Sequence, residues 1–480
     1  MMDINHLRVQ SSQIFKIFYT LLSLVTIFLF IAAYKEYKGE NYIYVLFTIT
    51  STALLYFGFR KKAIFFDTFI GIFFWLGFWL KLTVRVAFME SQINHAGWFT
   101  DSGADFDRSL LVVSCGFLGL LVASYLRGKF IFNYPLKINE ITQQGLFAFY
   151  NEYKKYLLVG FVVLIVLVAY TNYYYGIYQR GTITRTSLPY GLNGIYKWLL
   201  LFGLASISAM ILKFEYSQTK KTSYFVAILS LMEAFVSNVS LLSRGMILNV
   251  SALVYGVMRG LKIYSIKSSF RFLLTNFTIF IVLFSSSVVL VNYIRSINYI
   301  DGEKTSVIEQ TSRQTKVLFL DRWVGIEGVM AVSSYPKQGW DLWRQAWKEE
   351  YNENKMSFYD ENILVKSSYR NTDMTKHHFI SLPGILAFCF YSGSFAFLFL
   401  CMFLLSIFAS IIEMLVFRLG GKNIFLCALL AQVIAYRFSS FGYVPAQSYL
   451  LFGALILNII LIYGADKFFV FWYRRRGILS

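Results

Sequence analysis

The sequence predicts an all-α polytopic membrane protein with about twelve transmembrane helices and one large loop on a single side. Three observations carry this. Hydrophobic residues make up 57% of the 480 and charged residues only 15%, a balance far more apolar than that of soluble chains. Apolar runs of about 18 residues or more recur along the whole length. One long polar stretch, Asn292–His378, interrupts them and contains no run able to cross a bilayer.

Taken in order, the runs lie near 14–34, 41–59, 63–84, 109–126, 157–175, 195–213, 222–239, 241–258, 272–292, 380–416, 423–441 and 448–470. The first is too long for a signal-peptide core. Tyr34-Lys35-Glu36-Tyr37 comes after it in place of a small-residue cleavage site, so a retained helix is expected. Only a tight turn near 240 separates the seventh and eighth runs, which puts Arg244 at the membrane surface. The run 380–416 is too long for one ordinary span. Its Pro383-Gly384 and Ser392-Gly393-Ser394 predict a broken first part and then a full helix. The organisation is therefore a bundle of about nine helices (1–292), a large loop (293–379) and about three closing helices (380–480). Within the loop, Asp321–Tyr335 and Gly339–Tyr351 read as short helices with Asp321 and Asp341 as caps. Their tryptophans are expected to rest on the bundle top or in the lipid interface.

Charge sets the topology. The net charge of +19 is not a nucleic-acid footprint, because the loop is balanced at twelve basic and twelve acidic residues. The excess sits in clusters beside runs: Arg60-Lys61-Lys62, Arg127 with Lys129, Lys220-Lys221, Arg259 with Lys262, Arg418 with Lys422, and Arg474-Arg475-Arg476. Threading twelve spans places every cluster on one side, which the positive-inside rule makes cytoplasmic, with both termini inside. The four cysteines lie within apolar runs without metal-ligand spacing and read as buried, inert thiols.

The candidate chemistry falls on the opposite side. Arg180 and Arg185 sit in one short loop, Arg244 in Leu242-Ser243-Arg244-Gly245, and Arg322 in the large loop. A guanidinium fork suits bidentate capture of phosphate. The ordinary alternative is an interfacial arginine reaching to lipid headgroups. Arg244 fits that alternative least well, because it opens an apolar helix where charge is costly without a partner. His377-His378 closes the loop and offers a general base or an anion-binding imidazolium, against an ordinary interfacial role. Asp105 and Asp107 offer a weak divalent-cation pair, and neither metal nor cofactor is expected. Among charges inside runs (Asp67, Lys81, Glu215, Glu233, Glu413 and Arg437), Glu233 and Arg437 are hardest to assign to a run end.

The layout resembles the Wzy-type O-antigen and capsule polymerases, which are similar in turn to the O-antigen ligases. The resemblance rests on many spans, one large late loop, the stretch Arg185–Gly194 with its Gly191-Leu192, Ser243-Arg244-Gly245, and His378 at the loop's end. The ligases show His-Asn-x-Tyr at that last site, where this chain has His378-Phe379-Ile380-Ser381. The resemblance implies a GT-C-like bundle in a bacterial inner membrane with the loop in the periplasm. It implies a membrane glycosyltransferase joining undecaprenyl-diphosphate-linked repeat units, with a lipid-linked donor and acceptor as partners beside membrane lipid, a chain-length regulator and a flippase. Arg244 and His378 would be catalytic, and Arg180, Arg185, Arg244, Arg322 and His377 would hold diphosphate or glycan. The alternatives are a ligase that uses the same donor, and a lipid-linked oligosaccharide flippase. The latter fits less well with a single large loop and no internal repeat.

Overall fold

The computed structural model describes residues 4–88, 96–138, 143–243, 245–266, 268–299, 323–364 and 380–478; its account of side chains leaves out 4–19, 246–247 and 296–299. Every regular element among them is a helix. Eight are long and apolar enough to cross a membrane: Asn41–Phe59, Phe65–Phe88, Gly103–Phe130, Gln144–Tyr175, Pro189–Thr219, Phe270–Arg295, Phe395–Leu419 and Pro445–Arg475. Ile4–Glu36, Tyr224–Ser240, Met246–Ile263 and Ile424–Ser439 are the helices on the remaining apolar runs. The run 380–416 is broken as expected. Ile385–Phe390 is a short helix, and Phe395–Leu419 begins after Ser392-Gly393-Ser394, with the Ser394 hydroxyl capping its first turn.

Burial separates the centre from the rim. The apolar stretch of Phe65–Phe88 is 67% buried, whereas those of Phe270–Arg295 and Pro445–Arg475 are 22% buried and present their apolar sides outward. In lipid, apolar side chains gain little by leaving the solvent, so close backbone approach carries much of the packing. Glycines supply it. A Cβ on Gly119 of Gly103–Phe130 would lie 2.6 Å from the Phe399 carbonyl of Phe395–Leu419. One on Gly256 would lie 2.9 Å from Ala428 of Ile424–Ser439.

Hydrogen bonds show which helix ends share a side. Arg60 bonds the Ser124 hydroxyl (2.9 Å), Arg259 the Ala63 carbonyl (2.6 Å) and Arg127 the Phe132 carbonyl (3.0 Å). Tyr264 donates to the Lys422 carbonyl at 2.5 Å, and Arg476 lies 3.7 Å from Glu152. These contacts gather the basic clusters at 60–62, 127–129, 259–262, 418–422 and 474–476 at one end of the bundle. At the other end, the Glu40 amide bonds Asp107 (3.0 Å), Arg108 bonds Gln338 (2.8 Å), and Thr184 bonds Glu353 (3.1 Å).

The first described helix of the long polar segment does not rest on top of the bundle. Ile326–Ser333 is sunk into it, with Ile326, Val329, Met330, Ala331 and Val332 each fully covered. Its entry is a backbone crossing, in which a Cβ on Gly77 would lie 2.6 Å from the Val324 carbonyl. Glu327 then pairs with Lys81 at 2.6 Å and Arg85 at 3.4 Å. Trp340–Trp347 is the second short helix, and its tryptophans pack on Phe388 and Phe397 of the broken run. Asp341 does not cap it. It lies in the first turn, largely exposed and 3.6 Å from Arg344. Asp321 lies outside the described residues.

Candidate functional site

The end opposite the basic clusters contains a cavity of about 570 Å³. Its position is set by how the chain leaves and re-enters the helices. Helix Gln144–Tyr175 stops at Gly176, whose φ of 60° reverses the chain. Buried Asn172 then pins the start of the loop. Its amide oxygen accepts from the Tyr178 amide (2.8 Å), and its NH2 group donates to the Tyr178 carbonyl (3.0 Å) and the Ser240 hydroxyl (2.9 Å). The Arg180 amide then donates to the Leu241 carbonyl (3.0 Å), so Arg180 lies against the 241–245 turn. In that turn Leu242 takes φ 50°, and the Ser243 hydroxyl accepts from the Gly245 amide (3.0 Å).

The far wall comes from the closing helices. Asp360 accepts from the Ser381 amide (2.8 Å) and the Ser357 hydroxyl (2.6 Å), which fixes the chain where the long segment ends. The Gly384 amide donates to the Phe441 carbonyl (2.9 Å). Val444 takes φ 44°, a costly conformation for a β-branched residue, and its amide donates to Glu349 (2.9 Å). Burial raises the Glu349 carboxyl above its ordinary value, offset in part by the amides of Phe358 and Val444.

Three separate stretches therefore meet at one cavity. Arg180 and Thr184 come from the 176–188 loop, Ser243 and Gly245 from the turn, and Ile380 and Leu382 from the start of the closing run, just after the long segment. Arg180 interacts with the hydroxyls of Tyr178 and Tyr436. Burial alone would lower its pKa, but those two phenols more than offset the burial and leave it raised, so it is a permanent cation. Glu353 accepts from the hydroxyls of Thr184 (3.1 Å) and Tyr351 (2.7 Å). Burial pushes the Tyr443 phenol up to about 12 and raises that of Tyr351 as well, so both act as neutral donors rather than bases.

The residues singled out in the sequence separate here. Arg180 lines the cavity. Arg185 does not: it is exposed, its side chain lies over Gly176, and its amide closes the loop onto the Gly176 carbonyl (3.1 Å). Arg244, Arg322, His377 and His378 lie outside the described residues. Asp105 and Asp107 are in protein hydrogen bonds. Asp105 accepts from Thr100 (2.9 Å to the amide), and Asp107 from the Tyr37 hydroxyl (2.9 Å) and the Glu40 amide. Glu233 accepts from Ser237 one turn away (2.9 Å). Arg437 is a cavity residue that the sequence had marked only as a charge with no run end to explain it.

Fold and cavity together define a polytopic helical membrane protein with a cleft at one end of its bundle. Compared with protein-family models, curated proteins and solved structures, the chain gives no match.

Proposed function

We propose that this chain is a bacterial inner-membrane glycosyltransferase that joins polyprenyl-diphosphate-linked repeat units into polysaccharide, with the cavity as its reaction chamber. One observation carries the reading. Arg180, Ser243 with Gly245, and Ile380 with Leu382 just after the long segment, far apart in sequence, converge on a single cleft away from the basic clusters. These stretches include or adjoin the motifs on which the resemblance to Wzy-type polymerases rests. The positive-inside rule then assigns the cleft to the periplasmic face, in a GT-C-like bundle of about twelve spans.

The chemistry needs few parts. An acceptor-sugar hydroxyl attacks the anomeric carbon of the donor, the new C–O bond forms, and the bond to the diphosphate breaks. The hydroxyl proton passes to a base, for which His378 is the candidate, and the lipid diphosphate leaves as the anion. Arg180 contributes a fixed positive charge where that anion develops, and Arg244, between Ser243 and Gly245 in the sequence, is the second candidate. The neutral phenols of Tyr351 and Tyr443 suit sugar hydroxyls. The lipid-linked donor and acceptor are the partners.

The test is polymer laddering in cells or membranes that supply the lipid-linked repeat. Arg180→Gln and Arg244→Gln are expected to accumulate normally and to abolish the ladder. A normal ladder from well-expressed Arg180→Gln overturns the reading.

A further inference from the structure

The cleft carries more positive charge than the sequence motifs supply. Lys197 stands on the first turns of Pro189–Thr219, and its ammonium lies 5.1 Å from the centre of the Tyr178 ring. Arg437 stands near the end of Ile424–Ser439. Its guanidinium donates to the Ser448 hydroxyl (3.1 Å), lies 5.6 Å from the Phe441 ring and interacts with the Tyr178 phenol. Among the described residues neither cation has a carboxylate partner. Each instead faces an aromatic ring, which holds a cation in place without neutralising it. A half-buried arginine of this kind in an apolar helix is expensive unless an anion completes it.

The wall beside these cations is apolar. Leu200 and Leu201 come from one membrane helix, and Leu450 and Leu451 from another. Leu450 lines the cavity and is also 57% exposed, so the cleft opens sideways at the level where the helix Ser448–Arg475 begins. A cleft with cations at one end and a side opening lined by leucines fits an amphipathic anion.

We propose that Lys197 and Arg437, arranged around Tyr178, bind the phosphate groups of a lipid whose hydrocarbon leaves the cleft past Leu201, Leu450 and Leu451. This rests on the reading of the cleft as a lipid-diphosphate site and adds the residues and the direction of entry. Arg437 is the more telling of the two, since its fork can take two phosphate oxygens while Ser448 steadies it.

The experiment measures binding to the purified full-length protein in detergent with three probes: farnesyl diphosphate, inorganic pyrophosphate and farnesol. Farnesyl diphosphate is expected to bind best, pyrophosphate more weakly and farnesol least. Arg437→Gln is expected to weaken farnesyl diphosphate by about tenfold or more, the effect of one lost charge-assisted hydrogen bond, with Arg437→Lys between it and the parent. Leu450→Gln, at an exposed position that folding tolerates, is expected to weaken farnesyl diphosphate and leave pyrophosphate unchanged. The thermal unfolding of each unliganded variant serves as the folding control. Equal affinity in parent and Arg437→Gln overturns the proposal. Farnesol binding as tightly as its diphosphate removes the anion site. Pyrophosphate binding as tightly as farnesyl diphosphate makes the ligand a free diphosphate and removes the lipid path. The outcome is separable from that of the glycosyltransferase reading. Arg437-dependent binding with no polymer formed sustains this site and ends that reading, whereas polymer formation with unaltered affinity in Arg437→Gln ends this site alone.

Discussion

At the basic end of the bundle Arg127 is wholly covered and reaches Asp67, the Lys62 carbonyl and the Phe132 carbonyl. At the other end Arg437 is half-covered and meets the Ser448 hydroxyl, the face of the Phe441 ring and the Tyr178 phenol. The contrast extends to their neighbours. Buried Glu413 accepts from the amides of Phe65 (2.8 Å) and Phe66 (2.9 Å) and from the Tyr134 hydroxyl, and Lys213 donates to Gln143 (2.9 Å) and the Gly421 carbonyl. The buried charges Arg127, Glu413 and Lys213 at the basic end are met within the protein and tie helices together. Around the cleft, Lys197 and Arg437 find no carboxylate among the described residues. The difference teaches how to sort arginines in a membrane bundle: one whose hydrogen bonds are met by fixed protein acceptors is a fastener, and one left with an aromatic face and a hydroxyl is open to an incoming anion.

The largest expected effect tests the fastening end. Arg127→Ala leaves Asp67 as a buried carboxylate without its countercharge, which costs about 3–5 kcal/mol. Membrane accumulation and thermal unfolding in detergent are expected to fall sharply, whereas Arg437→Gln leaves both near the parent. A pair of variants with the same stability would erase the distinction between the two ends.

An intermediate effect belongs to the fastener inside the open end. Lys81 is 5% exposed and holds Glu327 and the Trp323 carbonyl (3.2 Å). Glu327→Ala leaves that ammonium with one neutral acceptor, a loss of about 2 kcal/mol on the scale of hydrogen bonds to charged groups. The buried helix Ile326–Ser333 then loses an anchor, and limited proteolysis is expected to cut the 293–379 segment faster than in the parent. An unchanged rate would mean that the apolar contacts of Ile326 and Val329–Val332 alone hold the helix.

Much of the scaffold was legible in the sequence because its signals are local. Each of the twelve apolar runs corresponds to helix, and the break at Ser392–Ser394 lies where glycine and serine interrupt an overlong run. The basic clusters identified their shared end because each adjoins a run. The burial of Ile326–Ser333 was not legible. An apolar stretch of that length reads alike whether it lies in lipid interface or protein, and only the Gly77–Val324 crossing decides between them. The cleft was legible in pieces. Arg180, Ser243 and Gly245 stand out as motifs, but Lys197 and Arg437 join them only through packing between helices more than two hundred residues apart in sequence.

Arg180 and Arg185 give the finest form of the comparison, because five positions separate two residues of one type in one loop and the sequence weighs them alike. Gly176 decides between them. Its left-handed turn sends Arg180 against the Leu241 carbonyl and into the cleft, and brings Arg185 back over the glycine itself. A side chain there would strike Arg185, so the glycine is needed for the close approach as well as for its φ. An exposed charge contributes up to about 1 kcal/mol, and Arg185→Gln is therefore expected to keep polymer formation within about fivefold of the parent. Arg180→Gln is expected to abolish it at equal expression. The measurement is ladder intensity for both variants on one gel, normalised to membrane protein. Loss of the ladder in Arg185→Gln alone would place the anion site outside the cleft, on the face that Arg185 presents, and would reverse the assignment of the two arginines.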